Sequence, residues 1–353
     1  MTETPPIEAQ PRVPWRRLTL FSLLFLGLTA AGLYVVYDQF AGRNLTFDPR
    51  LIQPGTVAAI VGLLLVYFGA DGLRLYFTLR ALGHRMPLPT MMRLVFINVF
   101  VSNVTPMATG GGVAQVWFLQ RHGVPIGRAT AATTIRTVLA IAFIFSLTPA
   151  FLLTLPALQD QPILDRVSVA LSFFIVIYLG FFAVVLLRAH WLIPPLAGSL
   201  ALLRRLHLIS AERHRRWQFK ARREMLRFSY SFGHYVRGPR ASVLLSVVFT
   251  AVFLLSLFSF PALLIYSLGY DEVQYLTTLG LLVVTTFIMY FAPTPGASGI
   301  SEGVFGTFFR DILTANHLVL VILAWRLLTI YLGMLVGLVV LQQELARTHK
   351  DTR

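Results

Sequence analysis

The chain has 353 residues, of which 56% are hydrophobic and only 13% are charged, with 30 basic residues against 15 acidic ones. This composition excludes an ordinary soluble globular domain and is typical of a membrane protein with several spans. The lack of cysteine excludes disulfides, thiolate metal sites and a thiol nucleophile. We therefore expect an all-α, polytopic integral membrane protein that carries no metal and no cofactor.

Six stretches are long and apolar enough to cross a hydrocarbon core, which needs roughly 20 residues per helix. They are Leu18–Tyr37, Val57–Phe77, Ala131–Leu155, Val167–Leu187, Ser242–Ser267 and Leu318–Leu341. Three arginines precede the first span, which favours a cytoplasmic amino-terminal tail over residues 1–17. The transmembrane domain is predicted over 18–341 and a second cytoplasmic tail over 342–353, so that both termini face the cytoplasm.

Proline and glycine interrupt two further apolar stretches, residues 94–119 and 275–309. The interrupting residues are Pro106, Gly110, Gly111 and Gly112 in the first and Pro293, Pro295, Gly296 and Gly299 in the second. If each stretch forms a re-entrant hairpin of two half-helices, 24 of the 30 basic residues fall on the cytoplasmic side, in agreement with the positive-inside rule. The sequence therefore predicts about six full spans and two broken hairpins.

The longest polar segment, residues 188–240, carries twelve basic residues mixed with aromatic and aliphatic ones. Such a mixture is typical of interfacial helices that bind anionic lipid headgroups. Ordinary positive-inside topology explains the same charge equally well. We expect no binding of nucleic acid, because no nucleic-acid-binding motif accompanies the basic residues.

The two interrupted stretches align with each other without a gap. The alignment pairs Pro106 with Pro293, Gly112 with Gly299 and Gln115 with Glu302. Each half then carries one arginine inside the following apolar helix, Arg136 in the first and Arg326 in the second. We predict an inverted repeat, with repeat one at about 54–155 and repeat two at about 241–341, whose broken helices form a site near the membrane midplane. The Gly333–Gly337 spacing in the last helix predicts close helix packing only.

The two intramembrane arginines are the leading candidates for a binding site. An arginine at mid-membrane costs about 2.5–3.5 kcal/mol to insert and usually marks a functional path. We expect Arg136 and Arg326 to bind an anionic headgroup, since a guanidinium binds phosphate or carboxylate bidentately, with Glu302 as their counter-ion or as a proton-linked switch. An ion pair that only joins helices is the alternative. Further candidates for substrate binding in the same polar lining are Gln115, Asn98, Asn103 and Ser298.

Other polar residues favour structural roles. Asp71 and Arg74 stand three residues apart, so we predict that they pair on one helix face, mainly as a structural pair. Gly299, Ser301 and Gly303 match a nucleophile elbow, but that motif requires a preceding strand, a histidine and an acid in a soluble sheet. The histidines lack the spacing of metal ligands. We therefore expect no enzymatic activity.

Together, these motifs resemble the lysylphosphatidylglycerol synthase transmembrane, or flippase-like, family. The resemblance covers nearly the whole chain, from about Leu18 to Leu341, and its most specific part is the Pro-x-Pro-Gly-x-x-Gly-x-x-Glu pattern from Pro293 to Glu302. Fused members of that family carry a soluble aminoacyltransferase after the membrane domain. No such domain precedes Arg353, so we expect no synthesis of lysyl-lipid.

The resemblance implies a lipid translocase of the bacterial inner membrane. Its cargo would be an amphipathic lipid with an anionic headgroup, such as a phospholipid, a glycolipid or a polyprenyl-phosphate-linked species, and its partners would be membrane lipids. The resemblance leaves the oligomeric state open. Two alternatives remain: a small-molecule or ion secondary transporter with the same inverted repeat, which predicts a closed aqueous cavity, and an accessory subunit of a lipid-modifying glycosyltransferase.

Overall fold

The structure is a computed structural model that describes residues 46–159, 171–180 and 232–351, with single helical positions at 23, 27, 30, 34, 219 and 230. The secondary structure of these residues is helical and contains no strand, which confirms the all-α fold class. The tail 1–17 lies outside the described residues, as do most of the span Leu18–Tyr37 and of the basic segment 188–240.

The first repeat consists of two long helices with a broken hairpin between them. Its helices are α1 (Pro54–Ala81), α2 (Leu88–Val104), α3 (Thr109–Arg121) and α4 (Ile126–Thr154). Both long helices are apolar along their length and long enough to cross a membrane. α2 ends where Thr105 turns to extended backbone and Pro106 offers no N–H to continue the helix. The short helices α5 (Pro156–Gln159) and α6 (Leu171–Gly180) follow.

The second repeat has the same order of elements. Its helices are α7 (Arg240–Ser267), α8 (Tyr275–Met289), α9 (Ile300–Phe309), α10 (Ala315–Arg326) and α11 (Leu332–Asp351), with a π-helical turn (Leu327–Tyr331) between the last two. The stretch Ala315–Ala346 is continuous enough to count as one span. With α1, α4 and α7, it confirms four of the six predicted spans.

Both hairpins return to the end of the helix bundle from which they started. In the first, Arg128 near the start of α4 approaches the carbonyl oxygen of Gly83, just after α1, at 3.5 Å. In the second, the Tyr270 hydroxyl accepts a hydrogen bond from the backbone N–H of Thr314 at 3.1 Å, which joins the loop before α8 to the loop before α10. The predicted re-entrant shape is therefore confirmed for both hairpins.

The first helices of the two repeats run antiparallel. Phe77 stacks on Phe249 with ring centroids 5.6 Å apart, and Tyr67 stacks on Phe253 at 5.0 Å. Residue numbers that rise along α1 thus fall along α7. Because the two hairpins follow antiparallel helices, they enter from opposite ends of the bundle, and the repeats are inverted as predicted.

A pseudo-twofold axis relates the two repeats. Tyr67 and Phe253, which face each other, are each the fourteenth residue of a 28-residue helix. The other contacts are reciprocal, since α2 packs on α11 and α8 packs on α4. Glycines allow both approaches: a Cβ on Gly337 would lie 2.1 Å from the Phe96 carbonyl oxygen, and one on Gly280 would lie 2.6 Å from Phe151. The predicted packing role of the glycines in the last helix is confirmed.

The two breaks meet on this axis, but in a register that differs from the sequence alignment. Pro106 and Pro295 form an isolated antiparallel bridge. Each is followed by two residues with left-handed backbone, namely Met107 and Ala108 in one break and Gly296 and Ala297 in the other. Since a residue on a twofold axis meets its own equivalent, Pro106 corresponds to Pro295.

The predicted pairing of Pro106 with Pro293 is therefore wrong by two residues. The reason is that the breaks differ in length: four residues, 105–108, separate α2 from α3, whereas ten residues, 290–299, separate α8 from α9. Gln115 and Glu302 also lose their equivalence, because Gln115 is the seventh residue of α3 and Glu302 is the third of α9.

Candidate functional site

The second break is held by Arg326, the last residue of α10, which is fully buried. Its Nε lies 2.8 Å from Glu302 Oε1 in an ion pair. Its Nη1 and Nη2 both donate to the Gly296 carbonyl oxygen at 3.2 Å, and Nη2 also lies 3.3 Å from Ser298 Oγ. One guanidinium therefore ties the break to the helix beside it.

Glu302 fastens the other side of the same break. Its Oε2 accepts a hydrogen bond from the backbone N–H of Gly299 at 2.7 Å and one from the Ser301 hydroxyl at 2.8 Å. A carboxylate in the first turn of a helix is also stabilised by the helix dipole. Glu302 is thus the counter-ion of Arg326, and Ser301 is a fully buried donor in a helix rather than an exposed residue after a strand.

Arg136 has a different partner from the one expected. Asp71 Oδ1 accepts hydrogen bonds from Arg136 Nη2 and from Arg74 Nε, both at 2.5 Å. All three side chains are buried, with residue exposures of 6% or less. The prediction that Glu302 serves both intramembrane arginines is wrong, because each repeat places its arginine beside a separate carboxylate. In the described part of the chain, no hydrogen bond or ion pair joins the two clusters.

The Asp71 cluster carries an excess of one positive charge, since it contains two arginines and one aspartate. Its hydrogen bonding is also incomplete: Arg74 Nη1 and Arg136 Nε are buried and have no hydrogen-bond partner among the described residues. The Arg74 guanidinium lies 3.8 Å above the centre of the Phe253 ring, which stabilises a cation but forms no N–H···O bond. This cluster, unlike the neutral Glu302–Arg326 pair, retains charge and donors for an anion.

Asp71 and Arg136 lie at the same depth in the bundle, which the predicted helix ends did not show. α1 continues to Ala81, beyond the predicted end at Phe77, so Asp71 lies ten residues before that end. Arg136 lies ten residues after the start of α4, whose first residue follows from the same side of the bundle. At about 1.5 Å per residue, both side chains start about 15 Å from that side. With the predicted end of this span at Phe77, Asp71 would lie only six residues from the end, too shallow to meet Arg136.

The first hairpin brings together two of its predicted polar residues. The Gln115 amide Nε2 lies 2.6 Å from Asn98 Oδ1, which also accepts from the Ser102 hydroxyl. Gln115 Oε1 is buried without a partner among the described residues. Asn103 donates to the Val99 carbonyl of its own helix at 2.8 Å and contributes to no shared cluster.

The two breaks differ in exposure. Met107 in the first break is 62% exposed, whereas Ala297 and Ser298 in the second are 8% and 1% exposed. Every side-chain hydrogen bond of residues 105–109 that the structure describes goes to the first hairpin itself. The first break is therefore exposed at Met107 and attached to its surroundings mainly through the Pro106–Pro295 bridge. The second break is exposed at Phe291 but largely buried and locked over residues 295–298, where Arg326 holds it.

An apolar groove of about 540 Å³ lies between α1 and α7, on the side of the Tyr67–Phe253 stack away from Asp71. Small residues open it, namely Ala59, Gly62 and Ala262, and its few polar groups include Ser259 and Tyr275, whose hydroxyls lie 2.7 Å apart. The volume is within the range of small-molecule sites, about 300–1,000 Å³. The groove opens sideways from the bundle, where an aliphatic chain would find apolar walls.

Charged residues join three segments at the end of the bundle where α1 begins. Asp48 forms an ion pair with Arg50 at 2.7 Å and lies 3.2 Å from His317 Nε2. The other ring nitrogen of His317 lies 2.8 Å from the Tyr270 hydroxyl. Hydrogen bonds from the Arg50 side chain and backbone, with a smaller contribution from His317, hold the pKa of Asp48 well below its ordinary value.

The fold and site define a polytopic integral membrane protein built from an inverted repeat of broken re-entrant hairpins. The family model of the lysylphosphatidylglycerol synthase TM region matches residues 19–337, and the chain belongs to that family. It is also similar to a UPF0104 membrane protein of Archaeoglobus fulgidus, with 22% identity over 271 residues that cover 76% of this chain and 80% of that protein.

Proposed function

We propose that the protein translocates an amphipathic lipid with an anionic headgroup across its membrane, and that it moves this lipid without converting it. The observation that carries the proposal is the buried cluster of Asp71, Arg74 and Arg136, which has one positive charge in excess and two donor nitrogens with no partner among the described residues. A net charge in the membrane interior is costly unless a counter-charge reaches it. A phosphate or carboxylate headgroup supplies that charge and accepts both donors.

Two further features favour a lipid over a small solute. The groove between α1 and α7 opens sideways and is mainly apolar, so the alkyl chains can remain in the hydrocarbon while the headgroup moves. Membership in a family named for the membrane region of a lipid synthase adds support. This groove does not resemble the closed aqueous cavity that an ion or sugar transporter requires.

In this mechanism the two repeats have different tasks. The locked second hairpin, with Arg326 and Glu302 fully buried, forms a rigid wall. The first hairpin has the exposed break, and its own Asn98 and Gln115 offer uncharged polar groups. Arg74 and Arg136 bind the headgroup between these elements. Glycolipids and polyprenyl-phosphate lipids both fit, because the cluster recognises the anion and not the remainder of the head.

Reconstitution into liposomes tests the proposal. Vesicles would contain fluorescent phosphatidylglycerol or a fluorescent polyprenyl phosphate, and a membrane-impermeant reductant would report the fraction of label in the outer leaflet. We expect transfer above empty vesicles, and a loss on the order of 10- to 100-fold in Arg74→Gln and Arg136→Gln, since hydrogen bonds to charged groups contribute about 1.5–3 kcal/mol. Arg310→Gln, at a half-exposed arginine, is the matched control. Transfer equal to that of empty vesicles with every lipid contradicts the proposal.

A further inference from the structure

Arg136 and Arg326 occupy equivalent places in the two repeats but bind different partners. Arg136 is the eleventh residue of α4, and Arg326 is the twelfth of α10. Arg326 donates to the Gly296 carbonyl and contacts the Ser298 hydroxyl in the break of its own repeat. Arg136 instead donates to Asp71 and, among the described residues, has no bond to the first break. The two halves thus display two arrangements of one arginine.

The first break offers two of the three acceptors that Arg326 uses in the second, and the third, Glu302, corresponds to Val113. In the register that pairs the two bridged prolines, Met107 corresponds to Gly296 and Thr109 to Ser298. Met107 supplies a backbone carbonyl, and Thr109 supplies a hydroxyl. That hydroxyl is engaged only within the hairpin, with the Pro106 carbonyl oxygen at 3.0 Å.

The start of α3 lies close to the part of α4 that carries Arg136. A Cβ on Gly112 would lie 3.7 Å from Thr133 Cγ2. Thr133 precedes Arg136 by three residues, so both side chains project from one face of α4. A long arginine side chain on that face therefore has the break beside it.

We propose that Arg136 is a two-position switch that exchanges Asp71 for the Met107 carbonyl and the Thr109 hydroxyl, and so closes the first break in the way that Arg326 closes the second. Asp71 keeps Arg74 in both positions, so neither position leaves a buried carboxylate unpaired, which would cost about 3–5 kcal/mol. The exchange moves the excess charge from α1 to the hairpin.

The exchange deepens the proposed function, because it links the charge that attracts a headgroup to the opening of the first hairpin. Its role in transport rests on lipid translocation, whereas the exchange itself is a property of the resting protein. The two are therefore tested by separate measurements on the same samples.

Thiol labelling in nanodiscs measures the exchange, since the chain has no cysteine of its own. Met107→Cys reports the exposure of the break to a membrane-impermeant maleimide. Thr109→Glu places at the exposed break an acid that attracts Arg136, and we expect the labelling rate to fall about tenfold as the closed position becomes dominant. Thr109→Gln, matched to glutamate in size but without its charge, should not produce this tenfold fall. Adding Arg136→Gln to Thr109→Glu should restore it.

A second pair of substitutions favours the exchange by removing Asp71, the present partner of Arg136. Asp71→Asn combined with Arg74→Gln removes the competing carboxylate and preserves the net charge, so labelling of Met107→Cys should again decrease. Asp48→Asn with Arg50→Gln removes an ion pair in the segment before α1, at the end of the bundle away from Asp71, and serves as the control. The Thr109→Glu result decides the matter if the Asp71 variant does not fold.

Unchanged labelling in Thr109→Glu, or protection that persists after Arg136→Gln, overturns the switch. Protection that depends on Arg136 in a protein that transfers no lipid supports the switch and refutes the proposed function. Lipid transfer without such protection supports the proposed function and refutes the switch.

Discussion

A buried arginine in a membrane helix is stable only where acceptors surround its guanidinium, and Arg326 meets this condition more fully than Arg136 does. Arg326 reaches a carboxylate, a backbone carbonyl and a hydroxyl. Among the described residues, Arg136 reaches only the carboxylate of Asp71, in competition with Arg74. At the residue scale, the second repeat therefore has the interactions of a scaffold, and the first has those that the proposed function requires of a binding site.

Removal of the charge on Glu302 tests the scaffold role. Glu302→Gln leaves the Arg326 guanidinium buried without its counter-ion, so we expect the free energy of unfolding to fall by about 3–5 kcal/mol. Thermal unfolding in detergent measures the change. Arg310→Gln breaks an exposed contact with Asp311 and should cost less than about 1 kcal/mol. A Glu302 variant as stable as the Arg310 variant contradicts a locked second break.

The outer ion pair predicts a response to acid. The pKa of Asp48 is lowered from its ordinary value of 3.8 because Arg50 donates to it through side chain and backbone. A lowered folded-state pKa means that the contribution of Asp48 to stability is present above about pH 4, the pKa of an unfolded aspartate, and is lost as the pH falls below it.

Melting curves of the protein and of Asp48→Asn check this response. The difference in melting temperature between the two should be constant from pH 7 to 5 and should shrink as the pH falls towards 3. A difference that does not depend on pH would show that the carboxylate charge contributes nothing.

The residues of the site were only partly predictable from sequence. Composition and spacing were enough to identify Arg326 and Glu302, because charges are rare in apolar stretches and these two follow a recognisable break. The partner of Arg136 was not found, because Asp71 is 65 residues away and its depth depends on where α1 ends. A pair between distant helices requires both helix boundaries, which a hydropathy pattern sets only to within a turn or so.

At the scale of elements, glycine decides how closely the hairpins approach the long helices. The backbone of α2 lies against α11 at Gly337, where an added Cβ would meet the Phe96 carbonyl oxygen at 2.1 Å. Backbone cannot yield as a flexible side chain can. We expect Gly337→Ala to separate the two helices and to lower stability by about 1–3 kcal/mol.

Gly69→Ala is the matched control, because Gly69 also lies inside a spanning helix but has nothing within 4 Å of an added Cβ. It should be neutral or stabilising by up to about 1 kcal/mol, since alanine favours helix more than glycine does. Thermal unfolding compares the two variants. Equal effects would mean that the contact between α2 and α11 is not tight.

The breaks show where sequence alignment reaches its limit. Proline and glycine mark each interruption correctly, since neither continues a helix well. They do not reveal how many residues an interruption spans, and the second break has ten against four in the first. The conformation after Pro106 and Pro295, not the identity of the neighbouring residues, establishes which positions correspond.

At the scale of the whole molecule, the antiparallel packing of α1 on α7 predicts the sidedness of the loops. Single cysteines at Ile52 and Glu272 should react with an impermeant maleimide from outside intact cells, because both lie at the end where α1 begins and α7 finishes. Cysteines at His84 and Arg237 should react only after the membrane is opened, since basic loops stay in the cytoplasm. Reaction of Ile52→Cys and Glu272→Cys from opposite sides would exclude this topology.

The axis between Pro106 and Pro295 has a consequence for how such a protein could arise. Each half presents to the other the surface that the other presents to it, so a single half inserted in both orientations could associate with its own copy. When the two halves are joined in one polypeptide, their sequences can differ. Asp71 and Arg74 have no charged counterparts at the matching helical positions, Leu257 and Phe260. One polypeptide can thus combine a half whose buried charges balance with a half that has an excess charge. Two identical subunits could not differ in this way.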